Sequence, residues 1–182
     1  MHGADASPPL RVLSGNALLG ELLETFLTQQ GRNGLRVTVI LDAPWGYAYT
    51  AFEGAPQGRS TLIVTDNPCG EAWEDLWDLA PTALIAQQLS PGALLPTIDQ
   101  TVRGQRLRLT PFYETPLTKT ERRVLRLCAT LGDLRAVGDA VGVSSGTLKN
   151  HLSSIYGKLG LRGLTDLRPY YFGGVTPADP RP

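Results

Sequence analysis

The chain of 182 residues holds two cysteines, two histidines and no excess charge of either sign, with 17 Lys and Arg against 17 Asp and Glu. Each shortage removes a class of chemistry. Cys69 and Cys128 have no second thiol or histidine near them in sequence, so neither a disulfide framework nor a metal site is expected. Cys128 lies among the apolar residues of a helical stretch and reads as a small buried hydrophobe, whereas Cys69 sits in a turn after Pro68. His2 and His151 are the only histidines, and neither a nucleophile elbow nor a Gly-Lys-Ser/Thr phosphate loop occurs. The expectation is therefore no catalytic residue, no cofactor and no enzyme. No run approaches the ~18 to 20 apolar residues that cross a bilayer, and Met1-His2-Gly3-Ala4-Asp5 lacks the charged-then-apolar order of a signal peptide. A cytoplasmic protein without membrane contact is expected.

What is present divides by charge. Residues 1–112 carry 7 Lys and Arg against 11 Asp and Glu, a balance of −4, and residues 113–182 carry 10 against 6, a balance of +4. Local sign governs attraction to phosphate, so nucleic acid is a candidate partner for the second part only.

That second part contains three successive helical signals. Thr118-Lys119-Thr120-Glu121 is a capping box, with Val124, Leu127, Cys128 and Leu131 as the apolar stripe behind it and Gly132 as the stop. Asp133 caps a second helix whose Leu134, Val137 and Val141 point inward, with Gly138 at a close crossing and Gly142 as its end. The third helix, Val143 to Leu159, places Leu148, Leu152, Ile155 and Leu159 on one stripe at 100° per residue. Gly146, Lys149, Asn150, Ser153 and Gly157 lie opposite, flanked by Thr147, His151, Ser154 and Lys158. A solvated face usually mixes both signs; this one is slim, rich in donors and without an acid, which suits the grooves of double-stranded DNA. Ser144 is the N-cap ahead of Ser145 and Gly146, and free amides at such a terminus favour phosphate.

The run L-T-K-T-E-R-R-V-L-R-L from Leu117, followed by V-G-D-A-V-G-V-S-S-G-T-L-K-N-H-L-S-S-I-Y-G-K-L-G-L from Val137, resembles the LuxR/FixJ-type helix-turn-helix of NarL-like response regulators. The resemblance implies a four-helix domain that binds DNA as a homodimer. On it, Lys149, Asn150 and Ser153 would enter the major groove, Thr147, His151 and Lys158 would lie near phosphates, and Ser145 is a further DNA-binding candidate. Leu164, Leu167 and Tyr171 belong to a last helix that either pairs two copies or packs on its own core. The sequence departs from the family pattern at Thr120, Val137-Gly138 and Leu164.

Upstream, strand and helix signals alternate. Leu10 to Leu13 is a strand, and Leu18, Leu19, Leu22, Leu23 and Phe26 repeat at helical spacing up to Gly31. Strands follow at Arg36 to Leu41, Thr61 to Val64 and Thr82 to Ala86, with helices at Tyr47 to Glu53, Gly70 to Ala80 and Ser90 to Gly104. In the Gly70 to Ala80 helix, Trp73, Leu76 and Trp77 are expected inward and Glu71, Glu74, Asp75 and Asp78 outward. Four strands alternating with helices imply a parallel α/β sheet. A-L-I-A-Q-Q-L-S-P-G-A-L-L-P-T-I-D-Q-T-V-R-G-Q-R, from Ala83, is similar to the end of a response-regulator receiver domain, here one βα unit short.

Phosphotransfer to aspartate needs paired acids for Mg²⁺, an acceptor Asp, a hydroxyl and a lysine. Ser14 and Gly15 stand where the acid pair belongs and Gln87 where the lysine belongs. Thr65 supplies the hydroxyl, and either Asp66 or Asp42 the acceptor. Conventional phosphorylation is not expected.

The chain thus divides into a flexible leader (1–9), a degenerate receiver-like domain (10–109), a short proline-bearing linker (110–116), a helix-turn-helix domain (117–172) and a disordered tail (173–182). Its expected function is transcription regulation on double-stranded DNA as a homodimer, with an unknown protein or small-molecule signal at the N-terminal domain. The competing use of the same fold is a module that grips a partner protein.

Overall fold

A computed structural model of the chain describes residues 10–55, 58–86 and 90–173, so the expected leader, Gln87 and the tail beyond 173 lie outside the described residues. Two compact units form, and their segments interleave along the chain. Among the described residues, those from 10 to 66 pack with 79–111, and 67–78 pack with 112–173. The packing thus divides otherwise than the expected contiguous span 10–109 and linker 110–116: 67–78 and 112–116 group with the helical unit, and 110–111 with the sheet unit.

In the first unit five parallel strands, β1 (Leu10–Ser14), β2 (Val37–Leu41), β3 (Ser60–Thr65), β4 (Ala83–Ala86) and β5 (Leu107–Leu109), lie in that spatial order. Three helices accompany them: α1 (Ala17–Gln29), α2 (Tyr47–Glu53) and α4 (Pro91–Val102). Parallel strands buried on both faces read as apolar runs, and Val37, Val39, Ile40, Leu62, Ile63 and Leu84 are fully buried. Leu27 of α1 and Leu94 and Ile98 of α4 meet Val37, Val39, Leu62, Val64, Ala83 and Ile85 on one face. The helical repeat in α1 was legible, but Leu18, Leu19 and Leu22 are exposed. The fifth strand escaped the sequence reading because three half-exposed residues are too few to show alternation; the Leu107 amide donates to the Thr82 carbonyl at 3.0 Å and starts it. Receiver-like sheets run 2-1-3-4-5. Here β1 is an edge strand among the described residues, and the two acceptor candidates, Asp42 and Asp66, follow the ends of β2 and β3.

In the second unit α3 (Gly70–Asp78) packs with α5 (Lys119–Leu131), α6 (Leu134–Val141), α7 (Ser145–Leu159) and α8 (Leu164–Tyr171). Val124, Leu125, Cys128 and Ala129 of α5, Val137 of α6, the four expected residues of α7, and Leu167, Tyr170 and Tyr171 of α8 form one core with Cys69 and Ala72. The α5 stripe is thus centred on Val124, Leu125, Cys128 and Ala129, with Leu127 at its margin and Leu131 exposed. α5 touches helices on more than one side, so its buried surface exceeds a single stripe. Burial pushes the Cys128 thiol up to about 11, consistent with a small hydrophobe rather than a reactive thiol.

The expected outward row of α3 is also corrected. Glu71 and Asp75 are buried, 0% and 4% exposed, because arginines of α5 and hydroxyls of Tyr113, Thr115 and Tyr171 replace their water.

Candidate nucleic-acid interface

α7 forms where the sequence expects it because its start and stop are chemically marked. The Ser144 hydroxyl accepts the Thr147 amide at 3.2 Å, and Gly160, at φ +65°, ends the helix in the left-handed conformation. Leu148, Leu152, Ile155 and Leu159 are 0 to 5% exposed, which fixes the rotation of the helix about its axis. Ser145, Gly146, Thr147, Lys149, Asn150, Ser153 and Gly157 consequently face solvent, with His151 half-buried at the margin.

The two outward glycines have no internal reason to be small. A Cβ on Gly146 would find nothing nearer than Ser144 Oγ at 3.8 Å, and one on Gly157 nothing within 4 Å. Gly138 is different, since its Cβ would stand 3.4 Å from the Val143 carbonyl where the turn between α6 and α7 passes close.

Glu121 fixes α7 to the start of α5. Its carboxylate accepts the Thr118 amide at 2.8 Å in the capping box, the Ser154 hydroxyl at 2.6 Å and the Lys158 ammonium at 2.7 and 2.9 Å. Burial alone would raise this acid, but Lys158, Ser154 and Thr118 overcome it and hold the carboxyl down at about 2. Lys158, expected near DNA phosphates, thus pairs with Glu121 while its side chain stays 36% exposed. The capping box was visible in the sequence; the reach to Ser154 and Lys158 was not, because it spans two helices.

Among the expected pairing residues, Leu167 and Tyr171 are corrected to core positions, 1% and 3% exposed, while Leu164 is 42% exposed. Arg123 was missed: its Nη2 donates to the Ala140 carbonyl at 2.7 Å and satisfies the end of α6.

In the sheet unit, Asp42 is 3% exposed, with Oδ1 accepting the Ala48 amide at 2.9 Å and Oδ2 accepting the Thr65 hydroxyl at 3.0 Å. Burial raises its pKa against those bonds. Asp66 is exposed and accepts from the Trp45 indole. A Cβ on Gly15 would stand 2.8 Å from Tyr47, 2.9 Å from Pro44 and 3.0 Å from the Ala43 carbonyl, so an acidic side chain cannot enter there without displacing them. Among the described residues no three His, Cys, Asp or Glu side chains are grouped to hold a metal ion.

Residues 115–170 match the family described as bacterial regulatory proteins, luxR family (GerE). This segment is a LuxR-type helix-turn-helix domain, and the chain has the fold of a response regulator. RcsB from Salmonella enterica serovar Typhimurium, in a structure bound to the promoter rprA in the presence of the phosphomimetic BeF3⁻, is similar over 91% of this chain and 98% of its own, at 14% identity and TM-score 0.56. The response regulator ChrA of a heme-sensing two-component system covers 88% of this chain and 94% of its own, at 18% identity and TM-score 0.42. Comparison with curated protein sequences gives no match. No helix among the described residues is long and apolar enough to cross a membrane.

Proposed function

We propose that the protein is a transcription regulator that binds double-stranded DNA through α7, as a homodimer, under the control of a receiver-like domain that is not conventionally phosphorylated. The observation that carries this is the outward row of α7: exposed, free of acids, and thinned by two glycines that the fold itself does not require. In this reading Lys149, Asn150 and Ser153 approach base edges, and Ser145, Thr147 and His151 approach phosphates. Asp42, enclosed by its own hydrogen bonds, with Ser14 and Gly15 where the Mg²⁺-binding acid pair is expected, supports a controller that works by another signal, a protein or a small molecule.

The test is selection from a random duplex pool, followed by affinity measured against salt. Two-fold symmetry predicts half-sites ~10 bp apart or a multiple of that. Each phosphate neutralised adds roughly 0.9 to the log-log slope. Failure to enrich any sequence, together with a flat salt dependence, would instead favour a partner protein on this face.

A further inference from the structure

We infer that residues 67–78 are a structural part of the helix-turn-helix module, which is thus assembled from two separated stretches, 67–78 and 112–173, and opens as one cooperative unit with α3 inside it. The inference rests on packing and does not depend on what α7 binds.

α3 enters this unit through several independent kinds of contact. Its side brings Cys69 and Ala72 into the same core as Val124, Leu125 and Leu167. Gly70 lies against the ring of Tyr113, where a Cβ would stand 2.5 Å from three ring atoms, so only glycine allows this approach. Asn67 donates to the Tyr171 carbonyl at 3.1 Å and accepts the Cys69 amide at 2.9 Å, tying the entry of α3 to the end of α8.

The polar contacts are specific as well as numerous. Glu71 accepts the Tyr113 hydroxyl at 2.8 Å and the Thr115 hydroxyl at 2.6 and 2.8 Å. Asp75 accepts the Tyr171 hydroxyl at 3.1 Å, with Arg126 Nε 3.7 Å and Arg122 Nε 3.9 Å away. Asp78 takes Arg122 Nη2 at 2.6 Å. Buried charges that lose one partner are strongly destabilised, so the helices supplying the arginines and the helix supplying the acids are bound to open together. The consequence is a route into the module that bypasses residues 110–116: the chain enters it after Asp66 and leaves it after Asp78, both within the sheet-forming part of the sequence.

Native-state hydrogen exchange on the full chain in low urea tests this without any nucleic acid. Amides of 70–78 are expected to open with the same urea dependence as those of 119–131 and 164–171, and differently from those of 37–41 and 60–65. In an Arg126→Met chain, protection in 70–78, 119–131 and 164–171 is expected to fall together, by about tenfold or more, with 37–41 and 60–65 unchanged. Should that variant not fold, the urea dependence of the unaltered chain decides. Opening of 70–78 together with the strands, opening of 70–78 ahead of α5 and α8, or one global opening of every segment would overturn the inference.

Discussion

Asp75 lies between two buried guanidinium groups, Arg126 with Nε 3.7 Å from its Oδ2 and Arg122 with Nε 3.9 Å from its Oδ1. An acid so enclosed adds little net stability as a charge, because desolvation outweighs attraction, yet truncating it opens a cavity and strands the Tyr171 hydroxyl and the polar groups around it. Asp75→Ala is expected to cost about 3 to 5 kcal/mol in urea unfolding followed by tryptophan fluorescence. The double change Asp75→Leu with Arg126→Met is expected to recover a large share of that loss. Equal losses in the single and double variants would contradict this account.

The same carboxyl sets a pH dependence. Burial pushes Asp75 up to about 6, with Arg126, the Tyr171 hydroxyl and Arg122 pulling the other way. A folded value above the unfolded one means that the native state binds the extra proton between them, so stability is greater near pH 5 and declines as pH rises through about 6. The drop is on the order of 1 to 3 kcal/mol, and Asp75→Asn should abolish it. Glu121 contributes with the opposite sign: held down at about 2, it stabilises above its unfolded value and that contribution is lost as pH falls through about 2.

Two lysines of α7 should separate cleanly. Lys149→Ala, on the exposed row, is expected to weaken DNA binding for every sequence and to lower the salt slope by roughly 0.9. Lys158→Ala should leave that slope unchanged and instead destabilise the module by about 1 to 2 kcal/mol, since Glu121 loses its cation. Anisotropy titrations at several salt concentrations, paired with urea unfolding, distinguish the two. Asn150→Ala should act differently again and chiefly alter sequence preference.

Gly146→Ala should gain helix stability, about 0.5 to 1 kcal/mol, because nothing in the protein opposes a methyl there. On the reading given above, it should also reduce DNA affinity by obstructing close approach. A variant that is both more stable and fully competent to bind would place the contact elsewhere.

Acetyl phosphate with Mg²⁺ is expected to leave the intact mass unchanged, since Asp42 is enclosed and Gly15 has no room for an acid. Asp42→Ala, which strands the Ala48 amide and the Thr65 hydroxyl, should cost about 2 to 3 kcal/mol. A stoichiometric adduct on Asp42 or Asp66 would reverse the reading of this domain.

Much of the helical unit could be read from local chemistry. Thr118, Asp133 and Ser144 cap their helices as expected, Gly132, Gly142 and Gly160 end them in the left-handed conformation, and the leucine spacing of α7 alone picked out the exposed row. Caps and helical periods act within a few residues, so a sequence displays them directly. The alternation of strands and helices in the first unit was readable for the same reason.

Partnerships between distant residues were decided by tertiary structure. Lys158 pairs with Glu121, Leu167 and Tyr171 are core, and Asp42 is buried where Asp66 is exposed. Glu71 and Asp75 looked like a solvated helix face because charge spacing records only which residues share a side, and nothing about the arginines that another helix brings to meet them. Periodicity determined which surfaces exist on each helix; packing determined which of them are spent inside the protein and which are left for a partner.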